Sequence, residues 1–231
     1  MPVNALGVVI SAIFAWLAIG VFGIVRPRAL RFVSRVLFPI GAGVGLILAA
    51  TAFLALEDAP IGAVLPLGLP DLPFHVRLDA LSAFFLLLLG LVGSAISVYA
   101  TGYFRAGEGT APGVLCLEYH VFLAAMAMVL ISNDAYVFMV SWEAMALSSF
   151  FLVATDHRKP DIRRAGFLYL LIAHIGAIAI LLAFGVLQGG SGDYTFDAMR
   201  AVSLNEKWAS IAFFLAFAGF GAKAGLLPLH I

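Results

Sequence analysis

Two ionisable side chains stand in the middle of apolar stretches: Glu143 in AYVFMVSWEAMALSSFFLVAT and Lys223 in WASIAFFLAFAGFGAKAGLLPLHI. A charge at the centre of a bilayer costs about 2.5–3.5 kcal/mol on insertion scales, so such a group must face protein or water, find a partner, or give up its charge. A carboxylate and an ammonium on neighbouring helices meet that need together. Each stabilises the other's ionised form, and drawing them apart frees the lysine's proton. The chemistry implied is that of a proton switch; a static ion pair that fixes helix packing would use the same two residues.

The flanks of Lys223 favour the switch. Gly219, Gly221 and Gly225 surround it and Pro228 follows. Proline has no N–H and crowds the carbonyl four residues back, so Ala224 is expected to lose its helical hydrogen bond. A freed carbonyl beside a buried ammonium attracts water, and interrupted helices of this kind line ion sites in transporters. Small residues that let two helices approach closely are the plainer alternative. His230, seven residues after Lys223, and His174, in LYLLIAHIGAIAI, are candidate proton relays, because imidazole exchanges protons near neutral pH. Each could equally be a buried, hydrogen-bonded histidine. Ser148 and Ser149 can hold water near Glu143 or bond their own backbone. The candidate proton-translocation residues are therefore Glu143, Lys223, His230 and His174, with a helix break at Pro228, Gly225 and Gly221. His75 and His120 read as boundary residues of little weight. With no phosphate loop, no H-E-x-x-H and no metal-ligand cluster, no catalytic, metal or cofactor-binding residue and no cofactor is assigned to the chain.

The elements that must position these groups follow from composition. The 231 residues are 63% hydrophobic and 11% charged, with a mean hydropathy of +1.08, against roughly 45–50% and 25% for soluble domains. That much apolar surface cannot be hidden in one globular core of this size, so lipid is the solvent. Seven stretches approach the roughly 20 residues that cross a bilayer as helix: Leu6–Val25, Val36–Leu56, Ala80–Thr101, Val114–Ile131, Ala135–Thr155, Ala165–Gln188 and Trp208–Ile231. The backbone in lipid must satisfy itself, which makes runs of this length helices. The expected fold is all-α and polytopic. It divides into residues 1–78, two leading helices and an outer loop, and residues 79–231, which carry the candidate site. The outer loop over residues 57–78, rich in proline, has room for a short strand pair.

Charge gives orientation. The loops after spans one, three and five carry Arg26, Arg28, Arg31, Arg35, Arg105, Arg158, Lys159, Arg163 and Arg164; those after spans two, four and six carry Arg77, Arg200 and Lys207. Basic loops stay cytoplasmic, so the N-terminus is expected outside, in the cell's inner membrane, with the loop at 156–164 in the cytoplasm. No basic residue precedes the first run, which argues against a cleaved signal peptide. Basic and acidic residues balance at thirteen each, so overall charge suggests no nucleic-acid partner. Cys116, the single cysteine, excludes an internal disulfide, a C-x-x-C pair and a cysteine-ligated iron–sulfur cluster within the chain. Asn133 and Asp134 are expected to cap the fifth span, Asp161 the sixth and Asp79 the third. Trp16 and Trp208 read as packing or interface residues, and Ser191-Gly192-Asp193 as a turn.

In order along the chain, RLDALSAFFLLLLGLVGSAISVYATGYF, SWEAMALSSFFLVAT, AGFLYLLIAHIGAIAILLAF and AGFGAKAGLLPLHI resemble the antiporter-like subunits shared by complex I, Mrp cation/proton antiporters and membrane-bound hydrogenases. The resemblance is greatest to the hydrogenase-4 component B and formate hydrogenlyase subunit 3 branch. It implies about fourteen helices with two inverted five-helix repeats, each containing a broken helix. By motif match, Glu143 takes the place of the fifth-helix glutamate and Lys223 that of the seventh-helix lysine, the pair that gates proton movement. His230 falls in the second half of the broken helix. Since the chain ends within that helix, it is expected to be an N-terminal fragment holding the first part of one repeat. The resemblance also implies partners: other membrane subunits of a multi-subunit redox complex, and soluble hydrogenase or dehydrogenase subunits indirectly. The alternatives are an Mrp-type sodium/proton antiporter subunit and an inert truncated product. Whether the chain counts as part of an enzyme, of hydrogenase or NADH–quinone oxidoreductase type, depends on that choice.

Overall fold

The computed structural model describes residues 4–103 and 109–226. Pro228 and His230 lie outside the described residues. The elements run α1 (Ala5–Val25), α2 (Leu30–Phe32), a π turn over Val33–Leu37, α3 (Phe38–Leu54), β1 (Ile61–Leu69), β2 (Leu72–Leu78), α4 (Ala80–Tyr103), α5 (Pro112–Ile131), α6 (Ala135–Val153), α7 (Pro160–Leu187), α8 (Phe196–Ala201) and α9 (Glu206–Ala224). Six helical stretches among them are long and apolar enough to cross a membrane. The described part of the seventh expected stretch is α9, 19 residues long. The chain is an all-α, polytopic membrane protein with one β-hairpin.

Several boundaries differ from those expected. The second span begins at Leu30, not Val36, so Arg31 and Arg35 sit on exposed helix positions and not in a loop. The reason lies in Pro39, which cannot donate to the carbonyl four residues back. The turn before it widens, with Phe38 N–H bonding Val33 O, and the helix passes through a π turn without stopping. The sixth span starts at Pro160, not Ala165, and its cap position is Lys159 with no side-chain bond. Asp161 therefore lies in the first turn, where its charge complements the helix dipole, and is not the cap. The other two expected caps are present: Asp134 accepts Val137 N–H at 2.7 Å and Asp79 accepts Ser82 N–H at 2.9 Å. The outer loop does form a strand pair, β1 against β2, antiparallel with an irregularity between Leu65 and Gly68. Helix α8, capped by Thr195, was not expected.

Helices without an amphipathic stripe pack in lipid by shape, and small residues let backbones meet. A Cβ on Gly90 of α4 would stand 2.5 Å from Gly45 O of α3 and 2.8 Å from Ala49 N. Beside this contact Ser94 Oγ donates to Ala42 O at 2.9 Å. The main core joins α1, α3, α4 and α5 around Trp16, Phe38, Leu48 and Leu86. Trp16 is fully buried and its indole N–H donates to Gly41 O at 3.2 Å, so it is a packing residue, while Trp208 is 48% exposed. A second, smaller core joins α6, α7 and α8 through Ala135, Ile180, Phe184 and Met199. His120 corrects the boundary reading given to it: it is fully buried, its Nδ1 donates to Cys116 O at 2.8 Å, and its ring packs near Phe38.

The connections sort to two ends. At one, β2, the α6 start and α8 are laced together. Asn133 N–H donates to His75 O and Phe196 N–H to Asn133 O, while Asp134 accepts His75 N–H at 2.8 Å and faces its Nδ1 at 3.2 Å. At the other, Gly113 N–H donates to Pro27 O and the Thr110 hydroxyl to Thr155 O. The loops rich in arginine and lysine gather at this second end.

Candidate functional site

Glu143 and Lys223 both come to α7, but to different residues on it. Asp134 starts α6 and leaves an uninterrupted helix from Ala135 to Val153, which carries Glu143 to mid-length. There Glu143 Oε2 lies 3.5 Å from His174 Nε2, the carboxylate side chain 31% exposed and the imidazole 46%. His174 Nδ1 is 2.9 Å from Leu170 O. A carbonyl only accepts, so Nδ1 carries a hydrogen. Nε2 can then face a carboxylate oxygen favourably only if one more proton sits on the imidazole or on the carboxyl.

Lys223 is partly buried near the end of α9. Its ammonium donates to Tyr169 Oη at 2.8 Å and stands 5.1 Å from the centre of the Tyr169 ring and 5.9 Å from that of Trp142. Ring faces attract such a cation by about 0.5–2 kcal/mol, more as water is excluded. Trp142 is set by an aromatic cluster, stacked on Phe138 at 5.2 Å and edge-on to Phe220 at 5.7 Å. The Tyr169 hydroxyl is also hydrogen-bonded to Ser149 Oγ, and Ser149 Oγ donates to Ala146 O at 3.1 Å. The ammonium donates to Tyr169 and the Ser149 hydroxyl spends its hydrogen on Ala146 O, so Tyr169 is the donor to Ser149. Hydroxyls in contact like this can carry a proton by successive hops when their donors turn.

A cavity of about 340 Å³ opens beside this row, lined by Val153, Ala165, Tyr169, Ile172 and Lys223 among others. Val153 and Ala165 belong to the end of the bundle where the basic loops gather. The seat of Lys223 is set by close packing of α7 on α9. A Cβ on Gly219 would meet Gly176 O at 2.7 Å and Ile180 Cγ1 at 2.5 Å. Helix α9 stops one residue beyond the lysine because Gly225 turns left-handed, with φ +72°, a conformation open to glycine without steric cost. Its N–H and that of Leu226 both bond Gly221 O.

The structure thus brings His174 to Glu143 and brings Gly221 and Gly225 to the end of the lysine helix. Among the described residues, no ion pair joins Glu143 to Lys223; α7 stands between them as carrier of both partners. Ser148, and Ser149 in part, bond their own helix backbone as serines in membrane helices commonly do. Tyr169 is the partner of Lys223 that sequence reasoning missed. Its signal was available: a tyrosine five residues before His174 in an otherwise apolar run, with a hydroxyl that needs a partner once buried. Glu118, on α5, was also passed over.

Residues 132–231 match the family described as NADH:quinone oxidoreductase/Mrp antiporter, TM, and residues 65–111 match that described as NADH-Ubiquinone oxidoreductase (complex I), chain 5 N-terminus. The chain is similar to hydrogenase-4 component B of Escherichia coli, 41% identical over 155 residues that cover 67% of this chain and 23% of the relative. Among solved structures it is similar to the membrane-bound sulfane sulfur reductase, an archaeal respiratory membrane complex, with a TM-score of 0.76 at 25% identity over 98% of this chain and 35% of the other. The Mrp complex from Dietzia sp. DQ12-45-1b shares the fold, with a TM-score of 0.80 at 21% identity over 100% of this chain and 42% of the other. The chain spans 23–29% of the length of the hydrogenase-type relatives it matches. By both family regions and the 41% identity to hydrogenase-4 component B, the chain belongs to the antiporter-like membrane subunits shared by complex I, Mrp antiporters and membrane-bound hydrogenases.

Proposed function

We propose that this chain supplies a proton-transfer path within a membrane subunit of a hydrogenase-4-like or complex I-like respiratory complex. The observation that carries the reading is the double engagement of α7. His174 holds Glu143 at 3.5 Å and Tyr169 holds Lys223 at 2.8 Å, so one helix links an acid that stores a proton to a base that passes one. The two residues lie five positions apart, about 7.5 Å along the axis. In one state the Glu143–His174 pair holds a proton and Lys223 is charged. A shift of α7 or α9 that brings Glu143 closer to Lys223 favours the carboxylate and the ammonium; withdrawal favours release. Pro228 and His230 stay candidates for the same path on sequence alone.

Each proton moved against 100 mV requires about 2.3 kcal/mol. No nucleotide motif in the chain could supply it, so the drive comes from partners: neighbouring membrane subunits and, through them, soluble hydrogenase or dehydrogenase subunits. The basic loops set the N-terminus outside and residues 156–164 in the cytoplasm, in the inner membrane. Residues 79–231 form the first part of the translocation repeat, with residues 1–78 as leading helices. The 41% identity to hydrogenase-4 component B favours the hydrogenase-type assembly over an Mrp-type antiporter.

The test is proton uptake into inverted vesicles carrying the subunit in its complex. Glu143→Gln and Lys223→Ala should each cut uptake far more than they cut assembly on native gels. Wild-type uptake in both variants would remove the proposal.

A further inference from the structure

Glu118 lies in α5, six residues from its start at Pro112, so about 9 Å inside the end where the basic loops gather. It is half-buried, and its Oε2 is shielded from solvent with no hydrogen-bond partner. Its neighbours are engaged elsewhere. Tyr119 donates to Gly93 O at 2.8 Å and meets Ser97 at 3.1 Å, both on α4. His120 packs against Gly41 of α3, and Leu117 against Gly20 of α1. At about 100° per residue, those contacts leave Glu118 on the remaining side of α5, the side of α6. A carboxyl so placed, in a helix that crosses the membrane, needs a proton or a proton acceptor.

The heights agree with that direction. Helices α5 and α6 are antiparallel neighbours joined by residues 132–134. Glu118 lies thirteen residues before Ile131, and thirteen residues after Ala135 is Ser148. Both are about 20 Å from the connection. Ser148 is buried and spends its hydrogen on Ala144 O at 2.7 Å, which leaves its oxygen lone pairs to accept. Ser149, next to it, is the last hydroxyl of the row that leads to Lys223.

We propose that Glu118 is a further proton-carrying residue of this path, passing protons from the arginine-rich end of the bundle through Ser148 and Ser149 to Tyr169 and Lys223. The proposal rests on the proton-transfer reading of Lys223. With Lys223 neutral, the row turns so that Ser149 donates to Tyr169 and Tyr169 to the amine; the Glu118 carboxyl O–H bond then breaks, each hydroxyl accepts one proton as it gives up another, and an N–H bond forms on Lys223. The products are one carboxylate and one ammonium, with no electrons moved. A proton from the aqueous side then restores the carboxyl.

The test uses the assembled complex in inverted vesicles, with K223A as the reference. E118Q should assemble normally, slow proton uptake roughly a hundredfold, the low end of what a positioned acid contributes, and abolish one carboxylic-acid C=O band in pH-step difference infrared spectra. E118D should recover most of the uptake. Slow uptake in K223A together with wild-type uptake in E118Q would overturn the role of Glu118 and leave the proposed function standing. Wild-type uptake in both would overturn both. Should E118Q fail to assemble, infrared spectra of assembled E118D decide: a displaced carboxylic-acid band supports the role, and an unchanged spectrum overturns it.

Discussion

Lys223 and Tyr169, 54 residues apart in the chain, meet across the seam between α7 and α9 with nitrogen 2.8 Å from hydroxyl oxygen. The contact ties an ammonium inside the bundle to a row of hydroxyls that crosses to α6. It also means that the lysine's proton and the packing of two helices are coupled.

Removing only the hydroxyl tests that tie. Tyr169→Phe keeps the ring under the ammonium and deletes the acceptor, so Lys223 loses one charge-assisted hydrogen bond, worth about 1.5–3 kcal/mol when its partner is left without a substitute. Proton uptake should fall while native-gel assembly stays intact, and the variant should lie between wild type and K223A. Uptake equal to wild type would show that the hydroxyl row is idle.

His174→Ala should have a different signature. It removes the imidazole 3.5 Å from Glu143 and leaves a partly exposed carboxyl on α6 without that neighbour. Uptake should fall, and adding Glu143→Gln should change it little further, because residues that act as one unit are not additive. Additive losses in a double-mutant cycle would separate the two residues.

Gly219→Ala addresses the packing. Its Cβ would lie 2.7 Å from the backbone oxygen of Gly176, which cannot rotate away, so α9 must shift. Overpacking of this kind costs about 1–3 kcal/mol. Unfolding in mixed micelles should show that loss, and proton uptake should fall as Lys223 moves off Tyr169.

Asp79 gives a pH-dependent stability. Burial acts to raise its pKa, but hydrogen bonds from the Ser82 backbone and hydroxyl, with the Arg77 guanidinium 3.0 Å away, outweigh burial and hold it below the usual 3.8. A carboxyl held low in the folded state contributes stability that is fully present above its unfolded value and lost as pH falls through its folded one. Asp79→Ala should therefore cost about 1 kcal/mol near neutral pH through loss of the cap. The difference in melting temperature from wild type should shrink below pH 3.8.

At the α6 cap, on the same end of the bundle, Asp134→Ala should be more damaging. Asp134 accepts from Val137 and from His75 and is 3% exposed, so the change frees two donors, one of them buried. A loss of about 1–3 kcal/mol is expected, read as a lower melting temperature, together with faster proteolysis of the β1–β2 hairpin that the His75 bond holds down.

The spans, their alternation, the caps at Asp79 and Asp134 and the placing of Glu143 and Lys223 within apolar helices were all legible in the order of residues. The reason is that a bilayer judges a segment by its own length and polarity, and a charge within it is conspicuous wherever it faces. The π turn before Pro39, the six-residue α8 and the burial of His120 were not legible. Each depends on a neighbour that local periodicity does not name. The partners at the site belong to the same class. Composition suggested that Glu143 would answer Lys223, whereas the rotation of α7, set by its contact with α9 at Gly176 and Gly219, presents His174 to the acid and Tyr169 to the base. Residue types determined that two charges needed partners in the membrane. Only the packing of helices, through distances of a few ångströms between backbones, decided which side chains those partners are.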